Sequence, residues 1–373
     1  MRIGVISRSN LDDRLYWSGV INSIYINLKK NKKIKVVRID KLNNTLRKVS
    51  AIKREFIRYF KNKKYDENYN NIVSKNFAKQ IESKIKNKKL DFLLAFDSSL
   101  IANLNTKIPI ILWTDLLYTD YYRHYYKKNK VSKDSLKSIK KIENKALNNC
   151  HKIILTSSWA LSKAKEKYPD LSKKFKLLEF GPSFRFDYNK RFISKNIKAR
   201  STKKLQLITL SVNWERKGIS KILSINKIIN RKGIDTKLTI IGLKKKNIYD
   251  KNINIIKFIN KNEKDGEKKI SSHLLKNHFH LLLSNAEAYG IALVEANSRG
   301  LPNIAFKVGG MQHIIKNNIN GKLFEQKSKL NIISDYIIKV FLDKVRYNKL
   351  SINSFNEYKK NILINILFQN FKK

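Results

Sequence analysis

Residues 284–324 read SNAEAYGIALVEANSRGLPNIAFKVGGMQHIIKNNINGKLF, and the order of residue types in that stretch decides how the rest of the chain is read. Two glutamates, Glu287 and Glu295, stand with seven residues between them, and Gly290 lies in the gap. Gly300, Leu301 and Pro302 form a helix stop, because glycine suits the left-handed position after a helix and proline cannot continue one. Residues 304–308 then read as a strand and Gly309-Gly310 as a turn. A helix that begins near Tyr289-Gly290-Ile291 presents unpaired N–H groups and a positive dipole end to an anion. Gly290 has no Cβ, so a ligand can approach its backbone closely. The expectation is a cradle for an anionic, hydroxyl-rich ligand.

Outward from this stretch, strands and helices alternate. Residues 205–211, 237–242 and 278–283 read as strands, with helices at 219–231 and 266–276 between them. In the other half, residues 2–7, 34–39, 91–96, 109–113, 152–156 and 177–180 read as strands, with helices at 16–28 and 136–147. Residues 47–89 are basic, polar and read as helical. Alternation of this kind predicts parallel, doubly wound sheets. The 373 residues exceed what one core normally serves, so two domains are expected. The basic, turn-rich run GPSFRFDYNKRFISKNIKARSTKK at 181–204 reads as the junction. The expected division is an N-terminal domain over 1–183, a linker over 184–204, a second domain over 205–350 and a C-terminal helix over 351–373.

The joint pattern of the two glutamates, the glycine after the first, the G-x-P step, the Gly-Gly turn and the Asn320-Gly321 turn resembles the signature of the retaining glycosyltransferases of family 4. That resemblance implies an α/β GT-B architecture of two Rossmann-like, doubly wound domains facing a central cleft. It implies an N-terminal acceptor-side domain, a C-terminal nucleotide-sugar domain and a terminal helix crossing back to the first. It also implies transfer of a sugar from a nucleotide diphosphate donor to a hydroxyl acceptor, with no metal and no other cofactor. Glu287 would contact donor-sugar hydroxyls. Glu295 would hold the ribose, since a carboxylate can accept from two vicinal hydroxyls. In SVNWERKGIS, residues 211–220, Lys217 stands where the family's phosphate-binding loop has a lysine before glycine. The usual arginine five residues earlier is Val212 here, and the adjacent Arg216 is its candidate substitute. Gly19 would let backbone approach the donor phosphates. Asp115 stands near the position where relatives carry a sugar-contacting histidine. Gly290, Tyr289 and Ile291 complete the expected nucleotide side, and Glu143 matches a family position to which we assign a structural role.

The two acids do not form a glycosidase dyad, because eight residues of helix would separate them by about 12 Å along the axis. His278 and His280 share a face of one strand, where packing is the default and a metal pair the alternative. The tyrosine-rich run at 118–128 reads as an amphipathic helix packed on its own domain. A net charge of +51, from 80 Lys+Arg against 29 Asp+Glu, points to polyanions. Lysine is scattered through every segment, so compositional drift explains the charge as well as an anionic membrane surface does. No zinc spacing, basic zipper or RNA-binding signature supports nucleic acid. One cysteine, no leader-like N-terminus and no long apolar run lead to the expectation of a cytoplasmic protein, peripheral at the inner face of a membrane. The partners expected are a nucleotide-sugar donor, a glycan or lipid-linked acceptor and that surface, in bacterial surface-polysaccharide or glycolipid assembly. The rival readings are a sugar-nucleotide epimerase or phosphorylase of the same fold, or a non-catalytic basic binding protein on this scaffold.

Overall fold

A computed structural model describes residues 1–243, 248 and 250–360. The chain divides into two compact units, Met1–Phe180 and Gly181–Lys373. In the first unit the strands are β1 (Arg2–Ile6), β2 (Lys35–Ile39), β3 (Phe92–Ala95), β4 (Ile110–Thr114), β5 (Lys152–Leu155) and β6 (Phe175–Leu177). In the second they are β7 (Leu205–Leu210), β8 (Thr236–Ile241), β9 (Ile253–Ile256), β10 (Phe279–Leu282), β11 (Asn303–Phe306) and β12 (Gly321–Phe324). The sheet orders are β2-β1-β3-β4-β5-β6 and β12-β11-β10-β7-β8-β9, and every pairing is parallel. The α/β, doubly wound reading therefore describes each unit. Central strands such as FLLA in β3 and IILWT in β4 are buried throughout, as strands with helices on both sheet faces must be.

Several elements differ from expectation. β9 and β12 were not anticipated. β9 is a half-buried edge strand of four residues, and β12 opens on a glycine, so neither carries a strong apolar run. Gly321 is required there, since a Cβ on it would lie 2.2 Å from the Asn303 carbonyl oxygen. The last strand of the first sheet lies at Phe175–Leu177, upstream of the expected 177–180. The expected helix at 16–28 is a tight turn, Tyr16–Gly19, followed by a helix, Val20–Lys30. Trp17, Ser18 and Gly19 break the two apart with φ of 49°, 54° and 85°. The basic segment 47–89 holds two helices, Thr45–Lys61 and Asn71–Ile85.

The expected linker is instead built into the second unit. It holds a helix, Lys190–Lys198, and Phe184 joins a core cluster with Ile208, Leu274 and Leu301. Arg200 is buried, and its guanidinium donates to the carbonyls of Leu275 (3.1 Å), Gly300 (2.9 Å) and Arg299 (3.0 Å) and to the Tyr347 hydroxyl (2.7 Å). Composition hid this, because a buried arginine that satisfies carbonyls looks like any other residue of a basic run. The expected boundary at 350 falls inside the helix Lys344–Lys360, which packs on Lys190–Lys198 and on Ile291–Asn297. Residues 361–373 of the expected terminal helix lie outside the described residues. Among the described residues no helix is long and apolar enough to cross a membrane.

Candidate active site

In the second sheet the chain starts at β7, winds outward through β8 and β9, then returns to lay β10 on the other side of β7. The loops after β7 and β10 therefore leave in opposite directions at the strands' carboxyl ends, which is where open α/β sheets bind ligands. The two loops are fastened together. Gly218 caps the helix Ile219–Arg231 with φ 67°, and a Cβ there would lie 2.1 Å from the Leu283 carbonyl oxygen. The Asn285 N–H donates to the Arg216 carbonyl at 2.8 Å, and its side-chain amide donates to the Glu215 carbonyl at 3.1 Å.

That fastening brings Lys217 and Arg216 onto Glu287. The Lys217 ammonium donates to Glu287 Oε2, and Arg216 reaches the same oxygen at 3.2 Å and the Ala286 carbonyl at 3.2 Å. Lys217 and Glu287 are both buried. Burial alone would push the Glu287 carboxyl up, but Lys217 and Arg216 outweigh it and hold the group below the usual carboxylate range. Burial, reinforced by the charge of Arg216, draws the Lys217 ammonium below the ordinary lysine value, and Glu287 offsets only part of that. Two cations against one carboxylate leave the crevice one positive charge in excess. Val212, at the usual arginine position, is an exposed side chain, and Arg216 takes part in the cluster in its place.

Glu295 lies in the helix Ile291–Asn297, which Gly290 opens with φ 99° and ψ 55°. The expectation of a solvated carboxylate is corrected here, because Glu295 is buried. Its Oε1 accepts from the Lys261 ammonium at 2.6 Å and from the Ser183 hydroxyl, and Lys261 also donates to Ser183 at 2.5 Å. Neither Lys261 nor Ser183 carried a sequence signal. Gly300, at φ 59°, ends the helix, with Leu301 N–H donating to Ala296 at 3.1 Å and Gly300 N–H to Asn297 at 2.9 Å. Tyr289 is buried and Ile291 half-buried beside the Gly290 turn, and Gly310 N–H donates to the Ala288 carbonyl at 3.0 Å.

The first unit has its own switch point between β1 and β3. Arg8, just after β1, pairs there with Asp97, just after β3, and donates to Asn68 Oδ1 at 2.6 Å. The sequence reading missed this pair. Gly19 is buried in the left-handed turn that opens the helix Val20–Lys30, and half-buried Asp115 follows β4. Glu143 is structural. It accepts from the N–H groups of Tyr118 and Thr119 and from the Thr119 hydroxyl (2.5 Å), capping the helix Tyr118–Tyr125. The tyrosines pack on their own unit. Tyr118 stacks on Tyr69 at 4.0 Å, and the hydroxyls of Tyr118 and Tyr122 donate to Asp66 at 2.6 and 3.1 Å.

The two strand histidines are occupied with packing. The Gln206 N–H donates to His278 Nδ1 at 2.9 Å, so the proton sits on Nε2 and is given to the Ser201 carbonyl at 2.7 Å. Asn303 uses its amide nitrogen on Leu293 and Asn297, which leaves its oxygen to accept from His280 Nδ1 at 2.7 Å. Among the described residues no three His, Cys, Asp or Glu side chains are grouped to hold a metal ion. Cys150 is buried with its thiol pushed up to about 12, which excludes it as a nucleophile at neutral pH.

Residues 190–357 match the family described as glycosyl transferases group 1. No curated protein matches the chain. Among solved structures, sucrose-phosphate synthase from Thermosynechococcus elongatus is similar with a TM-score of 0.68 at 12% identity, covering 99% of this chain and 98% of that one. WaaG, a glycosyltransferase involved in lipopolysaccharide biosynthesis, is similar with a TM-score of 0.62 at 13% identity, covering 100% and 98%. Anabaena Alr3699/HepE, solved with UDP and glucose, is similar with a TM-score of 0.60 at 12% identity, covering 100% and 98%. At these identities the likeness establishes the fold, a two-unit α/β fold of the GT-B kind.

Proposed function

We propose that this chain is a retaining, metal-independent glycosyltransferase. It moves a sugar from a nucleotide diphosphate donor to a hydroxyl of a glycan or lipid-linked acceptor in surface-polysaccharide or glycolipid synthesis. The observation that carries the reading is the convergence of Arg216 and Lys217 on Glu287 at the switch point of the second sheet. The match of residues 190–357 to group 1 glycosyl transferases supports it. The site lies at the cytoplasmic side of a membrane.

In this reading the donor diphosphate lies against Arg216 and Lys217, where fixed cations replace the metal that other phosphate chemistries recruit. Glu287, kept ionised by those cations, accepts hydroxyls of the donor sugar, and Glu295 serves the ribose. The bond between the anomeric carbon and the phosphate oxygen breaks while the acceptor oxygen bonds to the same face. The departing phosphate takes the acceptor's proton, and Lys217 absorbs the charge that develops. Gly19 and Asp115 of the first unit are assigned to the donor phosphates and the sugar, and that unit receives the acceptor.

The test begins with the donor. HepE holds UDP and glucose, so UDP-sugars come first, with GDP- and ADP-sugars beside them in a thermal-shift series. The preferred donor is then turned over in the presence of excess chelator and the product examined by NMR. Retention of anomeric configuration with undiminished turnover is expected. An inverted product, or turnover restored only by a divalent ion, overturns the reading.

A further inference from the structure

The helix Thr45–Lys61 is mounted with its apolar side outward. Val49, Ile52, Phe56, Tyr59 and Phe60 are between 55% and 82% exposed. Their spacing of three and four residues places them in one stripe along the helix. The inward side is the polar one, with Arg47 and Arg54 donating to the buried carboxylate of Glu67 at 3.1 and 2.7 Å. Ile57 is the helix's single buried residue. A soluble protein has no reason to hold three aromatic and two aliphatic side chains in water beside a charged anchor unless something covers them.

The charge around the stripe says what that is. Residues 45–64 carry eight basic side chains against one acid, Glu55. At about 100° per residue, Lys48 and Lys53 flank the stripe on either side. A second copy of the chain would bring two such basic faces together, which like-charge repulsion opposes. A nucleic acid would meet the aliphatic Val49 and Ile52 along the stripe, while the rings of Phe56, Tyr59 and Phe60 are partly engaged with one another at 4.6 and 5.0 Å. A bilayer with anionic headgroups satisfies both parts at once.

We propose that this helix docks the first unit on an anionic lipid bilayer. Ile52, Phe56, Tyr59 and Phe60 enter the boundary between headgroups and acyl chains, and Lys48 and Lys53 lie at the phosphates. The inference stands apart from the proposed transfer reaction, because vesicle binding is read without donor or turnover.

The experiment is co-sedimentation of the full chain with phosphatidylglycerol-containing and pure phosphatidylcholine vesicles, at low and physiological salt. Wild type is expected to bind the anionic vesicles preferentially. The double variant Ile52→Ser/Phe60→Ser should lower that partition roughly ten-fold or more. Lys48→Glu/Lys53→Glu should lower it comparably at low salt. Both sets of side chains are exposed, so circular dichroism and the thermal midpoint should match wild type. Equal binding to both vesicle types, or an apolar variant that binds as wild type does, overturns the proposal. So does a dimer by light scattering that Ile52→Ser/Phe60→Ser dissolves. Binding to a labelled single-stranded oligonucleotide that anionic vesicles cannot displace assigns the face to nucleic acid instead.

Discussion

The ammonium of Lys261 lies 2.6 Å from the carboxylate of Glu295, in the interior of the second unit and 34 positions away in sequence. Ser183 lies within hydrogen-bond reach of both. Burial makes the pair a matched set, because neither charge has bulk water to fall back on.

Lys261→Met should therefore be costly. It leaves a buried carboxylate with only a hydroxyl for a partner, and breaking a buried pair in this way costs about 3–5 kcal/mol. Urea unfolding should register that loss. The double variant Lys261→Met/Glu295→Gln should recover much of it, since no unpaired charge remains. If Lys261→Met is as stable as wild type, the pair is not buried in solution.

Lys217→Met should act on turnover more than Arg216→Met does. Lys217 is buried against Glu287, while Arg216 is partly exposed and also spends a donor on the Ala286 carbonyl. Loss of one fixed donor from a developing anion typically lowers kcat by about 100- to 1000-fold. Steady-state kinetics with the donor found by thermal shift would check the order of the two variants. Equal and small effects would remove the cations from the chemistry.

What the sequence could reveal follows from which physics is local. Buried parallel strands are continuous apolar runs, so β3, β4 and β10 stood out. Glu287, Gly290 and Glu295 stood out because their spacing is set within one loop-helix unit. Lys261 could not, since it is one cation among 80 Lys+Arg and its partner lies on another element. Arg299 was equally silent. It is buried beneath Phe184, with the rings of Phe186 and Tyr188 also within 5.1 Å, which fixes a segment whose composition suggested a linker. The helix Thr45–Lys61 makes the same point differently. Periodicity shows that a helix has two faces, but only the buried Glu67 decides that the basic one turns inward.

Stability of the second unit should fall as the pH is lowered from 6.5 to 4. His278 and His280 are both held down to about 4 from an ordinary value of 6.5, in each case chiefly by burial. A depressed folded value means the stabilising contribution is complete above 6.5 and is lost as pH drops toward 4. Each ring contributes on the order of 3 kcal/mol across that window. Glu287, whose carboxyl is also depressed, adds a further loss only below the ordinary carboxylate value of 4.5. Urea midpoints between pH 7 and 4.5 would show the slope, and imidazole NMR should find neither ring titrating above pH 5. A flat profile, or a ring that titrates near 6.5, would contradict the buried neutral assignment.

Gly218→Ala should disturb the site out of proportion to its size, and Gly233→Ala supplies the control. Both glycines have positive φ, 67° and 82°, so each alanine bears the left-handed cost of roughly 1–2 kcal/mol. At Gly233 nothing lies within 4 Å of the added carbon, so that cost is the whole effect. At Gly218 the carbon would lie 2.1 Å from the Leu283 carbonyl oxygen, a distance no Cβ can hold. The loop after β7 must then lift from the end of β10, straining the Asn285 N–H bond to Arg216 and drawing Lys217 away from Glu287. Gly218→Ala should thus lose more stability than Gly233→Ala in urea unfolding and should weaken donor binding in calorimetry, which Gly233→Ala should leave unchanged. If the two variants lose the same stability and bind donor equally, the close approach of Gly218 to Leu283 is not what holds the cations at the switch point.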